Sequence, residues 1–311
     1  MAHADEIERM AGLLASNPDY KVLRRMPADD IHIVPAKSGA NLRIAIVDTE
    51  TTGLMHETDK IIELGVVVLE VDPANGDSIG VIDAYQGFED PGYPIPPEAT
   101  AINGITDADV AGKSLDDERL RSMFTGVNLV IAHNAGFDRR FLEKRLPLFE
   151  SMRWACSQTQ IDWGAEGIGS AKLNYIAFQY GFFYEAHRAQ TDCLALAKVL
   201  AGQLPVSGGT ALAQLIATAS VPVYRLWATN SPFDSKDAMK IRGYSWDASR
   251  RCWHRTVPKT TVKPEACWLR DNVYGGREVT IEFEALDATL LFSARGGAIA
   301  RRQLPTALKA A

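Results

Sequence analysis

The sequence lacks the patterns that mark membrane proteins, secreted proteins and structural zinc sites. Its longest apolar run, GVVVLEV at residues 65–71, has the length of a strand and is too short to cross a membrane. The first residues, MAHADEIERM, are acidic and polar, so we expect no secretory signal. The four cysteines form no CxxC pair, which argues against structural zinc and is typical of a reducing compartment. We therefore expect a cytoplasmic protein with no membrane partner.

The composition is that of a globular protein, but its charge is unevenly distributed. Hydrophobic residues make up 46% of the 311 positions and charged residues 23%, which excludes a disordered or fibrous chain. The formal net charge is −6, yet residues 221–311 hold 15 Lys and Arg against 9 Asp and Glu. This division predicts metal chemistry in the acidic part and contact with a polyanion in the basic part. Solvated surface charge also produces such a division.

Hydrophobic periodicity and turn clusters divide the chain into four parts. Residues 43–48, 60–70 and 79–87 are expected to be strands, and the turn cluster DPANGD between the last two favours an antiparallel connection. A further buried strand is expected at 128–133, between two helices. The four parts are an N-terminal extension (1–40), the main α/β domain (41–203), a linker with a helix (204–220) and a small basic α+β domain (221–311).

The first of these strands ends on two carboxylates, which a buried strand does not tolerate without compensation. Asp48 and Glu50, in IAIVDTETTGL, lie two residues apart and therefore point to the same face. Two anions this close to a core repel each other and resist the loss of water. Asp138 in VIAHNAGFD, and Asp192 with His187 in HRAQTDCLAL, are able to reach the same cleft. Four anions in one pocket require cations, and hard oxygen ligands select Mg²⁺ or Mn²⁺.

Taken in order, three acidic segments of the chain resemble the three motifs of the DEDDh 3′–5′ exonucleases. The segments are VDTETTG, AHNAGFD and HRAQTD, and the resemblance covers residues 43–202. This family includes the proofreading subunit of bacterial replicative polymerase and ribonuclease T. The resemblance implies an RNase H-like fold, with a mixed five-stranded sheet, its first three strands antiparallel, and helices on both faces. Residues 41–203 would then be the exonuclease domain.

The resemblance also implies a role for each acidic residue. Asp48 would bridge two ions, either Mg²⁺ or Mn²⁺. Glu50 and Asp192 would complete the shell of the first ion, and Asp138 would hold the second through water. His187 would be the general base that takes a proton from the attacking water, a role suited to an imidazole that titrates near neutrality.

Further residues would contact the substrate if the resemblance holds. Thr51 and Leu54 would line the pocket for the 3′-terminal nucleotide. Ile105, in AINGIT, would be an apolar wedge against a base. AINGIT and KIIELG both stand where family members carry similar segments.

The resulting hypothesis is a divalent-metal-dependent 3′–5′ exonuclease that releases nucleoside 5′-monophosphates from a nucleic acid with a free 3′ end. Single-stranded DNA is the favoured substrate, and an exoribonuclease is the alternative because the motifs are shared. A second alternative is an accessory proofreading subunit that docks on a DNA polymerase. GQLPVSGG, which follows the exonuclease segment, lacks the hydrophobic and aromatic anchors of a clamp-binding peptide. This absence favours a free-standing repair or processing enzyme over a dedicated polymerase subunit. The partner expected for such an enzyme is a polymerase or a repair protein.

The basic C-terminal part permits two interpretations. Four of the six tryptophans are interleaved with Lys and Arg here, and this combination suits single-stranded nucleic acid, whose bases stack while its phosphates pair with cations. Alternatively, the tryptophans pack a small core. The sequence also predicts a helix that ends at Gly243, a hairpin across DASR, a helix near 264–273 and strands at 277–286 and 289–295. The four tryptophans are Trp227, Trp246, Trp253 and Trp268.

Overall fold

A five-stranded sheet lies in each of the two units into which the described chain divides. The structure, a computed structural model, describes residues 2–27 and 41–304, so part of the expected N-terminal extension lies outside the described residues. The units divide after Thr218. Within the described ranges, no helix has the length and apolar character needed to span a bilayer.

The first unit alternates strands and helices after an N-terminal helix. Its elements in chain order are α1 (Ala2–Ala15), β1 (Arg24–Arg25), β2 (Leu42–Thr51), β3 (Ile61–Val71), β4 (Ser78–Phe88), α2 (Pro97–Asn103), α3 (Asp107–Val110), α4 (Asp117–Phe124), β5 (Leu129–Ala132), α5 (Ala135–Arg145), β6 (Trp154–Cys156), α6 (Leu173–Gln179), β7 (Phe182–Phe183), α7 (Ala189–Ala201) and α8 (Ala211–Ala219).

The sheet of this unit has the strand order β4-β3-β2-β5-β6. β2, β3 and β4 pair antiparallel, whereas β5 and β6 add to β2 in parallel. Every residue of β3 is buried, as expected for a central strand that is covered on both faces. The predicted mixed five-stranded sheet is therefore confirmed, although the sequence did not locate β6, which has only three residues.

α7 packs unusually closely against β3, and a glycine permits this contact. Gly65 lies opposite Asp48 in the β2–β3 ladder. A Cβ atom at this position would lie 2.3 Å from the carbonyl carbon of Ala189, the first residue of α7. Because real Cβ atoms do not approach backbone atoms so closely, any larger residue at position 65 would displace the start of α7.

The second unit is a small α+β domain with an antiparallel sheet of order β12-β11-β8-β10-β9. The predicted strand at 289–295 is wrong. The carboxylate of Asp287 accepts the N–H of Thr289, and Phe292 has a left-handed φ of 72°, so this segment forms turns. The elements are β8 (Val223–Ala228), α9 (Lys236–Ile241), β9 (Ser245–Asp247), β10 (Cys252–Pro258), α10 (Val262–Asn272), β11 (Thr280–Leu286) and β12 (Ala298–Gln303).

Two buried glutamates organise the polar groups of the second unit. Glu265, which is 3% exposed, accepts hydrogen bonds from Arg242, Arg255 and the hydroxyl of Tyr244. Glu284, which is 2% exposed, accepts from the indole of Trp227 and from Arg225. Several cations of this basic domain are therefore paired with carboxylates of the domain itself.

We predict that Gly65→Ala destabilises the protein, because the added methyl group must displace the backbone of α7. Overpacking of this kind costs about 1–3 kcal/mol in the free energy of unfolding, which urea denaturation measures. Gly12→Ala is the matched control, since Gly12 lies exposed in α1 with nothing within 4 Å of the added carbon. Wild-type stability in Gly65→Ala would show that the contact between α7 and β3 is looser than described.

Candidate metal centre

Three carboxylates meet at the carboxyl end of β2. One oxygen from each of Asp48, Glu50 and Asp192 lies within 4.8 Å of the others. Asp48 and Glu50 share a face of β2 because side chains alternate along a strand, whereas Asp192 comes from the first turn of α7. Contacts of α7 with β2 and β3 bring Asp192 to the strand end. A set of hard oxygen donors at this spacing fits Mg²⁺ or Mn²⁺.

The fourth predicted carboxylate, Asp138, adjoins this cluster from the first turn of α5. It is 2% exposed, and its Oδ1 accepts the N–H of Thr49 at 3.0 Å and the Thr49 hydroxyl at 2.8 Å. Asn134, at the start of α5, has a left-handed φ of 77°, which turns the chain sharply from β5 into the helix. The structure thus brings all four predicted acids to one end of β2.

His187 lies next to the cluster, just before α7. Its backbone N–H donates to Oδ2 of Asp192 at 2.8 Å, and the N–H of Arg188 donates to the same oxygen at 3.2 Å. The other oxygen of Asp192 accepts the hydroxyl of Tyr184 at 3.0 Å. His187 has a left-handed φ of 68° and is exposed, so its conformation depends on these contacts.

Burial raises the pKa of each carboxylate in the cluster, and repulsion from neighbouring acids raises it further for Asp48, Glu50 and Asp138. The pKa of Asp48 lies well above its ordinary value, first because of burial and then because of Asp138 and Asp192. Burial, followed by repulsion from Asp192 and Glu63, raises the pKa of Glu50 to about 8. Burial also raises the pKa of Asp138 to about 7. Bound cations would therefore be needed to keep these groups fully ionised near neutral pH.

The predicted substrate residues lie in different environments. Thr51 is 8% exposed and its hydroxyl donates to the carbonyl of Gly53, whereas Leu54 on the following loop is 81% exposed. Ile105 is only 2% exposed, and its side chain fills an apolar cluster with Ile62 and Ile95. As the structure stands, Ile105 is not available as a wedge against a base, because it packs inside the domain.

Sequence reasoning missed three polar residues that adjoin the cluster. The Asn103 side chain hydrogen-bonds Glu50, Tyr184 donates to Asp192, and Glu63 is a fully buried carboxylate opposite Glu50 in the β2–β3 ladder. Two of the three were visible in the sequence. Glu63 is a lone acid inside the apolar run IIELG. Asn103 lies in AINGIT, two residues before Ile105.

The sheet order, together with the carboxylates at the end of its middle strand β2, defines a metal-dependent nuclease of the RNase H-like fold. The family model for the RNase T exonucleases matches residues 45–200, half of the chain. The chain belongs to this exonuclease family. Residues 45–200 form a 3′–5′ exonuclease domain of the DEDDh type, a class that uses divalent metal ions, and the prediction of this domain from the sequence is confirmed.

Two similar proteins carry the name DNA polymerase III. The chain is 34% identical over 154 residues to DNA polymerase III subunit epsilon of Treponema pallidum. The aligned region covers 47% of this chain and 68% of that protein. It is 32% identical over 167 residues to the PolC-type DNA polymerase III of Clostridium perfringens, covering 50% of this chain. Only 11% of the latter protein is matched.

One solved structure with a similar chain is described as exonuclease X in complex with 5′ overhanging duplex DNA. It is 29% identical, covers 56% of this chain and 99% of its own, and superposes with a TM-score of 0.43.

We predict that the metal-free protein loses stability as the pH rises from about 4 to about 8. In the unfolded chain these carboxylates titrate near pH 4, whereas Glu50 and Asp138 titrate near 8 and 7 in the folded protein. Between these values the folded state holds more protons than the unfolded state, so the free energy of unfolding falls with pH. Saturating Mn²⁺ binds the ionised carboxylates and should remove most of this loss.

Thermal unfolding in EDTA and in Mn²⁺ across this pH range measures the effect. Asp48→Asn should flatten the metal-free pH dependence, whereas Asp5→Asn, an exposed acid on α1, should leave it unchanged. A metal-free melting temperature that stays constant or rises with pH would contradict the raised pKa values.

Proposed function

We propose that the protein releases nucleoside 5′-monophosphates one at a time from the 3′ end of single-stranded DNA, with two Mg²⁺ or Mn²⁺ ions as cofactors. The convergence of Asp48, Glu50 and Asp192, with the backbone of His187 bound to Asp192, carries this proposal. These groups supply the ion ligands and the general base that phosphodiester hydrolysis requires.

Each carboxylate has a position that fits the role its motif implies. Asp48 interacts with each of the other three acids, so it suits a bridging ligand. Glu50 and Asp192 would complete the first ion site. Asp138, whose Oδ1 is occupied by Thr49, would serve the second through its other oxygen and a water molecule. When bound, the ions would lower the pKa of the attacking water and stabilise charge on the leaving 3′ oxygen.

His187 is the proposed general base. Its side chain is exposed while its backbone is fixed to Asp192, so the imidazole can reach a water molecule at the cluster without losing contact with solvent. A neutral imidazole accepts the proton from the attacking water and returns it to solvent. Leu54, exposed beside the strand end, and Thr51 would line the pocket for the terminal nucleotide.

The choice of DNA rests on the relatives, since the site itself does not distinguish the sugars. One similar protein is named as a PolC-type DNA polymerase III and another as the epsilon subunit of DNA polymerase III. An exoribonuclease is the alternative, because the same motifs serve both substrates. A proofreading subunit that docks on a polymerase is a second candidate, and the relative named as the epsilon subunit favours it. The cytoplasmic location and a role in repair stay predictions.

We predict that Asp48→Asn abolishes nucleotide release, because it removes the bridging ligand, and that His187→Ala slows release by about 10²–10⁴-fold. Mn²⁺ binding, measured by calorimetry, should be lost in Asp48→Asn and kept in His187→Ala. Matched single strands of DNA and RNA, and duplex DNA, are the substrates, and Asp237→Asn on α9 is the control. Full activity in Asp48→Asn would refute the two-ion assignment, and faster cleavage of RNA would favour the exoribonuclease.

The second unit offers one exposed tryptophan for a nucleic-acid strand. Trp227 is 3% exposed beneath Arg250, and Trp253 and Trp268 pack partly buried against the core. These contacts support the core interpretation for the three. Trp246, at 50% exposed beside Trp253, is the remaining candidate for stacking on a base.

We predict that Trp246→Ala weakens binding of a long single strand by about 1–3 kcal/mol, the usual contribution of one stacked base. The dependence of affinity on salt should not change, because no phosphate contact is lost. Hydrolysis of a dinucleotide serves as the control and should be unaffected. Unchanged affinity for the long strand would mean that Trp246 does not contact nucleic acid.

A further inference from the structure

Glu63 is a buried carboxylate beside the metal centre for which the proposed mechanism has no use. Its side chain is 0% exposed on β3, opposite Glu50 in the β2–β3 ladder. Its negative charge adds to the repulsion within the cluster, since it contributes to the raised pKa values of Asp48 and Glu50. A buried anion that opposes its neighbours needs strong partners, and these partners indicate what it does.

The partners of Glu63 lie mainly at the start of α7. Arg188 donates to it from Nε at 3.3 Å and from Nη2 at 3.3 Å, and the backbone N–H of Ala189 donates at 3.3 Å. Gln86 on β4 is a further donor. The guanidinium of Arg188 also lies 5.5 Å from the ring of Phe88, the residue paired with Glu63 across β3 and β4. Arg188 therefore reaches from α7 across two strands of the sheet.

These contacts fix the two residues that follow His187 in the chain. Asp192, a residue of the metal centre, accepts the N–H groups of His187 and Arg188. Glu63 holds the side chain of Arg188 and the N–H of Ala189. His187 adopts a left-handed φ of 68°, a conformation that a residue with a Cβ atom rarely keeps unless its surroundings enforce it.

We propose that Glu63 and Arg188 are a positioning pair, which holds His187 in the conformation it needs as general base. This inference rests on the proposed function of His187. Neither residue touches the reacting atoms in this proposal: Glu63 fixes Arg188 and Ala189, and these fix the backbone on which the imidazole is carried. The pair should therefore affect the rate of the chemical step more than the binding of ions or substrate.

A second ion pair provides a matched control. Arg25 pairs with Glu185 at 2.6 Å, and its guanidinium lies 5.2 Å from the ring of Phe183, so it has the same two kinds of contact. Its partner Glu185 lies two residues before His187, so this pair also contacts the segment that leads to His187. Both of its charged groups are exposed, at 61% and 78%, whereas Glu63 is fully buried. Arg25→Ala thus removes a similar pair without removing the buried one.

The first experiment does not depend on activity. Hydrogen–deuterium exchange, read by mass spectrometry on peptides that cover residues 184–192, reports the amides of residues 187–189. In Arg188→Ala these amides should exchange about tenfold faster or more, because local opening becomes easier. Arg188→Lys should fall between the variant and wild type, and Arg25→Ala should match wild type at these amides.

The second experiment separates positioning from stability. Arg188→Ala should lower kcat about 10- to 100-fold, part of the contribution of a positioned base, with KM for a dinucleotide and Mn²⁺ binding unchanged. It should also lower the melting temperature, because Glu63 loses its cation. Adding Glu63→Gln to Arg188→Ala removes the buried charge and should restore the melting temperature but not kcat.

Specific results would overturn the inference. They are an unchanged exchange rate at residues 187–189, a recovery of kcat together with stability in the double variant, or a loss expressed as a raised KM that grows with strand length. The last result would mean that Arg188, which is 45% exposed, contacts the substrate itself. A wild-type protein that releases no nucleotide from any strand with either ion would refute the proposed function instead. The exchange measurement at residues 187–189 does not depend on activity and would still test whether Glu63 and Arg188 fix this segment.

Discussion

Repulsion among buried carboxylates is the constraint on which the architecture of the first unit depends. Asp48, Glu50 and Asp192 are held within 4.8 Å of one another, and Asp138 adjoins them. Neutral donors compensate part of this repulsion, but the pKa of Glu50 still rises to about 8, so the compensation is incomplete. The unbalanced charge that destabilises the empty cluster is also the source of its affinity for divalent ions. The neutral donors are Thr49, Asn103 and Tyr184.

A cluster that repels itself must be assembled by rigid elements, and the contacts around β3 supply this rigidity. β3 is buried along its whole length, so its position is fixed by packing on both faces. Gly65 allows α7 to approach this strand at backbone contact distance, which carries Asp192 towards β2. The ladder between β2 and β3 shifts register between Glu50 and Thr51, at the point where the acidic face ends. Apolar burial in the sheet therefore offsets the cost of placing anions at its edge.

The sequence predicted the parts of the site whose signal is local, and missed those that depend on distant contacts. The acids were visible because each motif combines an acid with a recognisable strand or helix start. Glu63 and Asn103 were overlooked because their partners, Arg188 and Glu50, lie far away in the sequence. The same limit explains why Ile105 was expected to be a wedge against a base. An apolar side chain suits a wedge and a core position equally well. Only its packing partners decide between them. β6 was missed because three residues give no periodicity.

Composition is least informative in the second unit, because a count of charges does not show which of them are paired. The excess of Lys and Arg in residues 221–311 suggests a surface for a polyanion. In the fold, Glu265, Glu282 and Glu284 each accept hydrogen bonds from arginines of the same domain, and two of these glutamates are almost fully buried. A buried carboxylate must recruit cations wherever it lies, so part of the positive charge serves the fold of this unit. The first unit meets the same electrostatic demand at Glu63 with Arg188. In the described part of the chain, by contrast, no Lys or Arg forms an ion pair with the four carboxylates of the metal cluster. That difference separates structural carboxylates from those available to bind ions.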